Sequence, residues 1–298
     1  SSRSWPWSTG GPVHAAAPIV LSAYSPQPMI GVSPTRPGCL KLVPPVEFIE
    51  LAADLGCDGV GMALAPFTAN PHGYPAWSLR DDTGLRRETL AALRENQMPI
   101  LNGEGFLIRE GSNIADSARD MDLLAELGTR SVNIISIDSD LGRSTDQLGK
   151  FADMAAARGM AATLEYMAGM VIGTLEMAAQ VVRAAGQPGF GVMVDSMHLS
   201  RSGGTPADVA AKDPALITYL QLCDVPVKPI DASYGEEARH NRLALGEGDL
   251  PLAEIVASSP ANITIGIEVP MLARAEAGES PKDRLAASVA YAKRLLGE

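Results

Sequence analysis

The chain has 298 residues, 46% of them hydrophobic and 20% charged, with a formal net charge of −11 at neutral pH. That is apolar material for one large α/β domain or two smaller ones and argues against a disordered chain. The acidic balance repels phosphate backbones and speaks against nucleic acid as the main partner. The chain carries no apolar run of roughly eighteen residues, the length a spanning helix needs. Its three cysteines, Cys39, Cys57 and Cys223, form no CxxC pair, which argues against a zinc–thiolate cluster and points to a reduced, cytoplasmic protein.

Residues 1–16, "SSRSWPWSTGGPVHAA", are polar and rich in Gly and Pro without a continuous apolar stretch. They are expected to be an arm, or a remnant of expression or processing, outside the folded domain of residues 17–298. From there short Val/Ile/Leu-rich runs alternate with longer segments of helical spacing. "PIVLSAY" (18–24) precedes a helix over 45–55, "GVGMAL" (59–64) one over 84–95, and "PILNGEGF" (99–106) one over 114–127. "SVNIISI" (131–137) precedes a helix over 144–157, and "AATLEYM" (161–167) one over 173–185. "GVMVDSMH" (191–198) leads to a short helix near 205–211, and "ITYLQLCD" (217–224) to a long loop and a helix near 250–258. "NITIGIEV" (262–269) precedes the last helix, over 281–296. Eight strand–helix units in one chain predict a (β/α)₈ TIM barrel. The competing doubly wound sheet would want a glycine-rich phosphate loop after the first strand, and "AYSPQPMIGVSP" supplies none.

In such a barrel the chemistry sits at the C-terminal ends of the strands. Four late strands each put an oxygen-bearing residue at or near that end: Glu165, Asp195, Gln221 and Glu268. Their parity places all four inward. Val192 and Val194 share the face opposite Asp195, Ile265 and Ile267 the face opposite Glu268, and Leu220 and Leu222 the face opposite Gln221. Three converging carboxylates require compensation, and these strands carry almost no basic residues to pair with them. A shared divalent cation answers this. Three carboxylates and an amide oxygen form a hard site suited to Mn²⁺ or Mg²⁺, with Co²⁺ as a substitute.

The order of Glu165, then "VDSMHLSRSGG", a strand ending in Asp224, "RLALGEGDLPLAEIV" and "IGIEVP" resembles the xylose-isomerase-like TIM-barrel superfamily. That group includes ketose epimerases, inosose dehydratases and isomerases, 3-dehydroshikimate dehydratases and hydroxypyruvate isomerases. The resemblance covers residue 17 to the C-terminus. It implies that Glu165, Asp195 and Glu268 are metal ligands and that Gln221 stands where the fourth ligand is usually His, as in some dehydratase-type members. It also implies that His198 touches substrate oxygens and that Arg242 lies near the substrate. Leu245 replaces the usual Pro before Gly-Glu-Gly, so that loop is expected to differ in shape.

The implied reaction is proton abstraction α to a carbonyl of a small hydroxy-carbonyl substrate (a sugar, keto-polyol or cyclic hydroxy-ketone), through a cation-stabilised enediolate. Glu165 and Glu268 are the candidate bases and His198 the group that holds or protonates a departing oxygen. Return of the proton gives isomerisation or epimerisation; loss of a β-hydroxyl gives dehydration. Two other readings stay open: a non-catalytic barrel binding a sugar or partner, and an endonuclease IV-like enzyme. Four histidines and the acidic charge argue against the second.

Further expectations concern the loops. Glu104 and Trp77 are candidate substrate contacts, with a loop salt bridge and surface packing as the alternatives, and Tyr74 and His72 belong with Trp77. Asp138 is expected to cap the following helix. His240 lies in "PVKPIDASYGEEARHNR", either a lid over the mouth or an exposed loop; an exposed histidine is the preferred reading. Met167, Met170, Met193 and Met197 hint at a less polar substrate, with core packing as the alternative. A homodimer or homotetramer is expected of such a barrel.

Overall fold

In the computed structural model, residues 17–22, 43–66, 77–229 and 233–298 are described. The expected arm, Cys39, His72 and Tyr74 lie outside them. Eight parallel strands close into a barrel in chain order. They are β1 (Ile19–Ser22), β2 (Gly59–Ala63), β3 (Ile100–Ile108), β4 (Ser131–Ser136), β5 (Ala161–Glu165), β6 (Phe190–Asp195), β7 (Ile217–Leu222) and β8 (Thr264–Ile267). The helices are α1 (Pro45–Asp54), α2 (Thr83–Glu95), α3 (Ala118–Glu126), α4 (Leu141–Ala156), α5 (Leu175–Ala185), α6 (Ser196–Arg201), α7 (Pro206–Ala210), α8 (Tyr234–His240), α9 (Leu252–Ser258), α10 (Leu272–Glu276) and α11 (Pro281–Leu295). None of the described helices is long and apolar enough to cross a membrane.

Several helices begin where a side chain satisfies an open N–H group. Asp82 accepts from Leu85 N–H ahead of α2, Asp140 from Arg143 N–H ahead of α4, and Thr174 from Met177 N–H ahead of α5. Asp138 is not the cap: it is buried and held by Arg143 Nε, because Asp140 stands at the helix start. The outward branched residues, Val192, Val194, Leu220, Ile265 and Ile267, pack into the main apolar core. Inside the barrel, Gly61 leaves room for the Glu104 carboxyl, and a Cβ on Gly266 would stand 2.6 Å from the Tyr219 hydroxyl.

Two elements depart from expectation. Residues 196–198 do not prolong β6 but start α6, because Asp195 accepts from the His198 N–H and caps a helix there. The segment read as one long loop contains α8. Its base is pinned by antiparallel bridges Asp224–Leu243 and Asn241–Met271. Asp224 holds the next loop too, accepting from the N–H groups of Val225, Gly246 and Leu250, with Leu245 buried beside it.

Candidate active site

Four consecutive strands, β5 to β8, deliver the predicted oxygen donors to one end of the barrel. The register sets Asp195 beside Gln221 and Gln221 beside Gly266. The Glu268 N–H donates to Leu222 O, which fixes Glu268 one step past β8. Glu165, Gln221, Glu268 and His198 border one cavity together with Glu104 and Arg242. Asp195 is wholly buried directly behind it.

Each acid is held differently. Glu165 Oε2 accepts from Asn133 Nδ2 at 2.7 Å, and Asn133 Oδ1 accepts from Thr163 at 3.1 Å. Glu165 Oε1 lies 3.4 Å from His198 Nε2. Asp195 uses Oδ1 to cap α6 at 2.9 Å and Oδ2 to receive Arg242 Nη1 at 2.7 Å. The same Nη1 stands 3.0 Å from Glu268 Oε2. A buried basic partner therefore exists, contrary to expectation. The strands could not reveal it because Arg242 arrives from the loop after α8, where its Nε donates to Ala238 O.

Gln221 is central, but its amide is turned the other way from expectation. Nε2 donates to Glu268 Oε2 at 2.7 Å and lies 3.4 Å from Asp195 Oδ2. A carboxylate pair attracts a donor, so the amine end faces the acids.

The electrostatics follow from burial and crowding. Burial pushes the Glu268 carboxyl up; Arg242 opposes this, and the charges of Glu165 and Asp195 add to it. Burial, then the charges of Glu268 and Glu165, holds Glu104 well above the usual carboxylate range. Burial also works to raise Asp195, but Arg242 and then His198 outweigh it and hold it low. For His198, burial opposes charge, yet Asp195 and the Glu165 contact draw the imidazole upward.

Three buried acids facing one guanidinium leave negative charge for a further cation. Glu165, Asp195 and His198 can each offer a ligand atom within 4.8 Å of the others. The donor set of this cluster fits a divalent cation. His198 is thus a geometric candidate for a ligand as well as the expected substrate contact.

Other predicted residues sort by place. Glu104 lines the cavity, with Asn102 Nδ2 at 3.5 Å from its Oε1. Trp77 is half-buried against the apolar core and is not among the described residues lining the cavity; the short run from Trp77 to Leu79, whose N–H donates to Leu64 O, holds it there. Of the four methionines only Met167 borders the cavity; Met193 and Met197 are fully buried. His240 is 5% exposed rather than an exposed loop residue: it ends α8, whose Tyr234 and Ala238 line the cavity, and its Nε2 lies 3.8 Å from Glu236 Oε2 one turn earlier in the same helix. The bidentate pair Arg201–Glu237 ties α8 to α6.

Two site residues escaped sequence reasoning. Asn133 had a usable signal, a polar residue of inward parity in "SVNIIS", like Gln221 in its own strand. Tyr234 had none: its segment carries no periodicity, and only the folded chain brings it to His198.

A family described as xylose isomerase-like TIM barrel matches residues 49–294. A curated 3-dehydroshikimate dehydratase of Pseudomonas aeruginosa is 34% identical over 219 residues, 72% of this chain and 29% of the relative. The chain therefore spans under a third of that relative's length. Among solved structures, one described as a xylose isomerase-like TIM barrel/4-hydroxyphenylpyruvate dioxygenase fusion protein is 22% identical with a TM-score of 0.66, covering 86% of this chain and 39% of that one. A second, described as IOLI protein with a binding zinc atom, is 14% identical with a TM-score of 0.73, covering 94% of this chain and 98% of that one. At these identities the structures speak to the fold alone.

Proposed function

The chain belongs to the xylose isomerase-like TIM barrel family, and from that membership we propose that it is a divalent-cation-dependent enzyme that removes a proton α to a carbonyl and expels a β-hydroxyl, a dehydratase of 3-dehydroshikimate or a close cyclic hydroxy-ketone. The observation that carries this reading is the convergence of Glu165, Gln221 and Glu268 on one cavity, with Asp195 buried behind it, that also holds His198 and Arg242. The similarity to a 3-dehydroshikimate dehydratase supports the substrate class.

Glu165, Asp195 and Glu268 would hold the cation, with the Gln221 oxygen as fourth donor after rotation of its amide. Mn²⁺ or Mg²⁺ suits that oxygen-rich set, with Co²⁺ as a substitute. When bound, the cation supplies charge stabilisation for the oxygen that becomes negative as the α-proton leaves. One carboxylate of the Glu165–Glu268 pair takes that proton. Asn133 fixes the face Glu165 presents by occupying Oε2. Arg242 keeps Asp195 ionised. His198 holds the departing β-hydroxyl through Nε2–H. The proton returns from a carboxyl of the pair to that hydroxyl as the C–O bond breaks, so the chain ends unchanged and water leaves.

The placement of Glu165 and Glu268 on opposite flanks of the set, three strands apart in the ring, favours a second reading, epimerisation or isomerisation, in which the second glutamate reprotonates carbon.

The test is turnover of 3-dehydroshikimate by the purified chain with Mn²⁺, with and without prior chelation. Dehydration of that ring produces aromatic absorbance that depends on the cation. Exchange of the α-proton with solvent deuterium, without water loss, moves the assignment to the second reading. A chain that retains no divalent cation and exchanges no proton is a binding barrel, and the enzymatic reading fails.

A further inference from the structure

Tyr234 opens α8 and reaches across the cavity wall to His198. Its hydroxyl oxygen accepts from the Ala168 N–H at 3.2 Å and stands 2.7 Å from His198 Nδ1. The two rings are tilted by 51° with centroids 5.7 Å apart, so the contact runs through the phenol oxygen and not through stacking. Burial, then the charge of Asp195, pushes this phenol well above its ordinary pKa, and its proton stays in place.

A phenol has one proton to give. The Ala168 contact uses a lone pair of the oxygen and leaves that proton to be placed. His198 Nδ1 is the acceptor at hydrogen-bond distance. Were Nδ1 to carry hydrogen on the neutral ring, the phenol oxygen would have to accept from it, and the phenol proton would lack an acceptor among the described residues. Asp195 Oδ1, at 3.8 Å from Nδ1, is too far to accept the Nδ1 hydrogen instead. With Tyr234 donating to Nδ1 both groups are satisfied. The imidazole proton then sits on Nε2, the nitrogen 3.4 Å from Glu165 Oε1 at the cavity.

We propose that Tyr234 is a positioning residue that locks neutral His198 in its Nε2–H tautomer, making it a hydrogen-bond donor to substrate and withholding it from cation binding. The Nδ1 lone pair is engaged by the phenol and Nε2 carries hydrogen, so neither nitrogen is left to bind a metal. Although Glu165, Asp195 and His198 lie close enough to share a cation, the ligand roles then fall to the acids and Gln221. The donor role toward substrate rests on the proposed function; the tautomer does not.

The experiment is a long-range ¹H–¹⁵N correlation spectrum of the ¹⁵N-histidine-labelled chain, with His198 assigned by its absence in His198→Gln. It is recorded at a pH raised until the His198 nitrogen shifts no longer change, so that the ring is neutral although its pKa lies above the ordinary value, first after chelation and then with saturating Mg²⁺. The expected result is an unprotonated Nδ1 and a protonated Nε2 in both states, and a mixture of tautomers in Tyr234→Phe. A protonated Nδ1 in the parent chain, loss of the Nε2 proton on adding Mg²⁺, or an unchanged pure tautomer in folded Tyr234→Phe would each overturn the proposal. With 3-dehydroshikimate as substrate, Tyr234→Phe is expected to lower kcat by about 10-fold to 100-fold, the range for losing a group that orients a working one, with KM nearly unchanged. If the parent chain does not turn that substrate over, the functional reading falls, while the spectra still decide the tautomer.

Discussion

Arg242 Nη1 sits 2.7 Å from Asp195 Oδ2, a contact closed across 47 residues of sequence. The same nitrogen is 3.0 Å from Glu268 Oε2, so a single guanidinium joins two of the three acids of the site. Removing it leaves buried carboxylates with less positive charge, a change that typically costs about 3–5 kcal/mol. Arg242→Met is expected to lose stability of that order in urea melts of chelated protein, and to regain part of it with saturating Mn²⁺. Equal losses with and without Mn²⁺ would mean that the acids do not hold the cation.

Gln221 bears on metal retention. Gln221→Ala is expected to weaken Mn²⁺ binding by about 10-fold to 100-fold in calorimetric titration, and Gln221→His to retain it. Unchanged affinity in both variants would make Gln221 a structural amide whose task is the 2.7 Å bond to Glu268.

The two glutamates are separable from the rest by kinetics. Glu165→Gln and Glu268→Gln are each expected to lower kcat by about 10²–10⁴-fold, the usual contribution of a positioned acid or base. Full activity in either variant removes that residue from proton transfer.

Glu104 couples stability to pH. Burial, with the charges of Glu268 and Glu165, raises its folded pKa well above the ordinary value. Between the two pKa values the folded chain binds a proton that the unfolded chain has released, so stability falls as pH rises through that window. In chelated protein, Glu104→Gln should therefore flatten the decline of Tm with pH and melt about 2–4 °C higher at the alkaline end. A parallel decline in both proteins would show that Glu104 titrates normally.

Burial pushes the Cys57 and Cys223 thiols up to about 12, leaving little thiolate to react. In a Cys39→Ser background, the native chain is expected to consume almost no aromatic disulfide reagent, and the urea-unfolded chain two equivalents. Rapid native labelling at either cysteine would contradict the buried placement.

The eightfold alternation and the inward parity of Glu165, Asp195, Gln221 and Glu268 were legible in the chain because strand periodicity is local. Side chains two residues apart share a face whatever the rest of the protein does. The same rule could have found Asn133. The resemblance in "VDSMHLSRSGG" added His198 as a residue of the site, and that in "RLALGEGDLPLAEIV" added Arg242.

What the sequence could not carry was the pairing between distant segments. Local pattern does not say that Arg242 swings in to bridge Asp195 and Glu268, that Asp195 spends one oxygen capping α6, or that Gln221 turns its amine toward the acids. Nor does it bring Tyr234, in a segment without periodicity, to His198. Those choices depend on which charges and donors meet once the barrel closes, where burial makes each unpaired polar group costly enough to select a partner. The sequence by itself determined the barrel and the inward oxygen donors; the tertiary structure decided their partners.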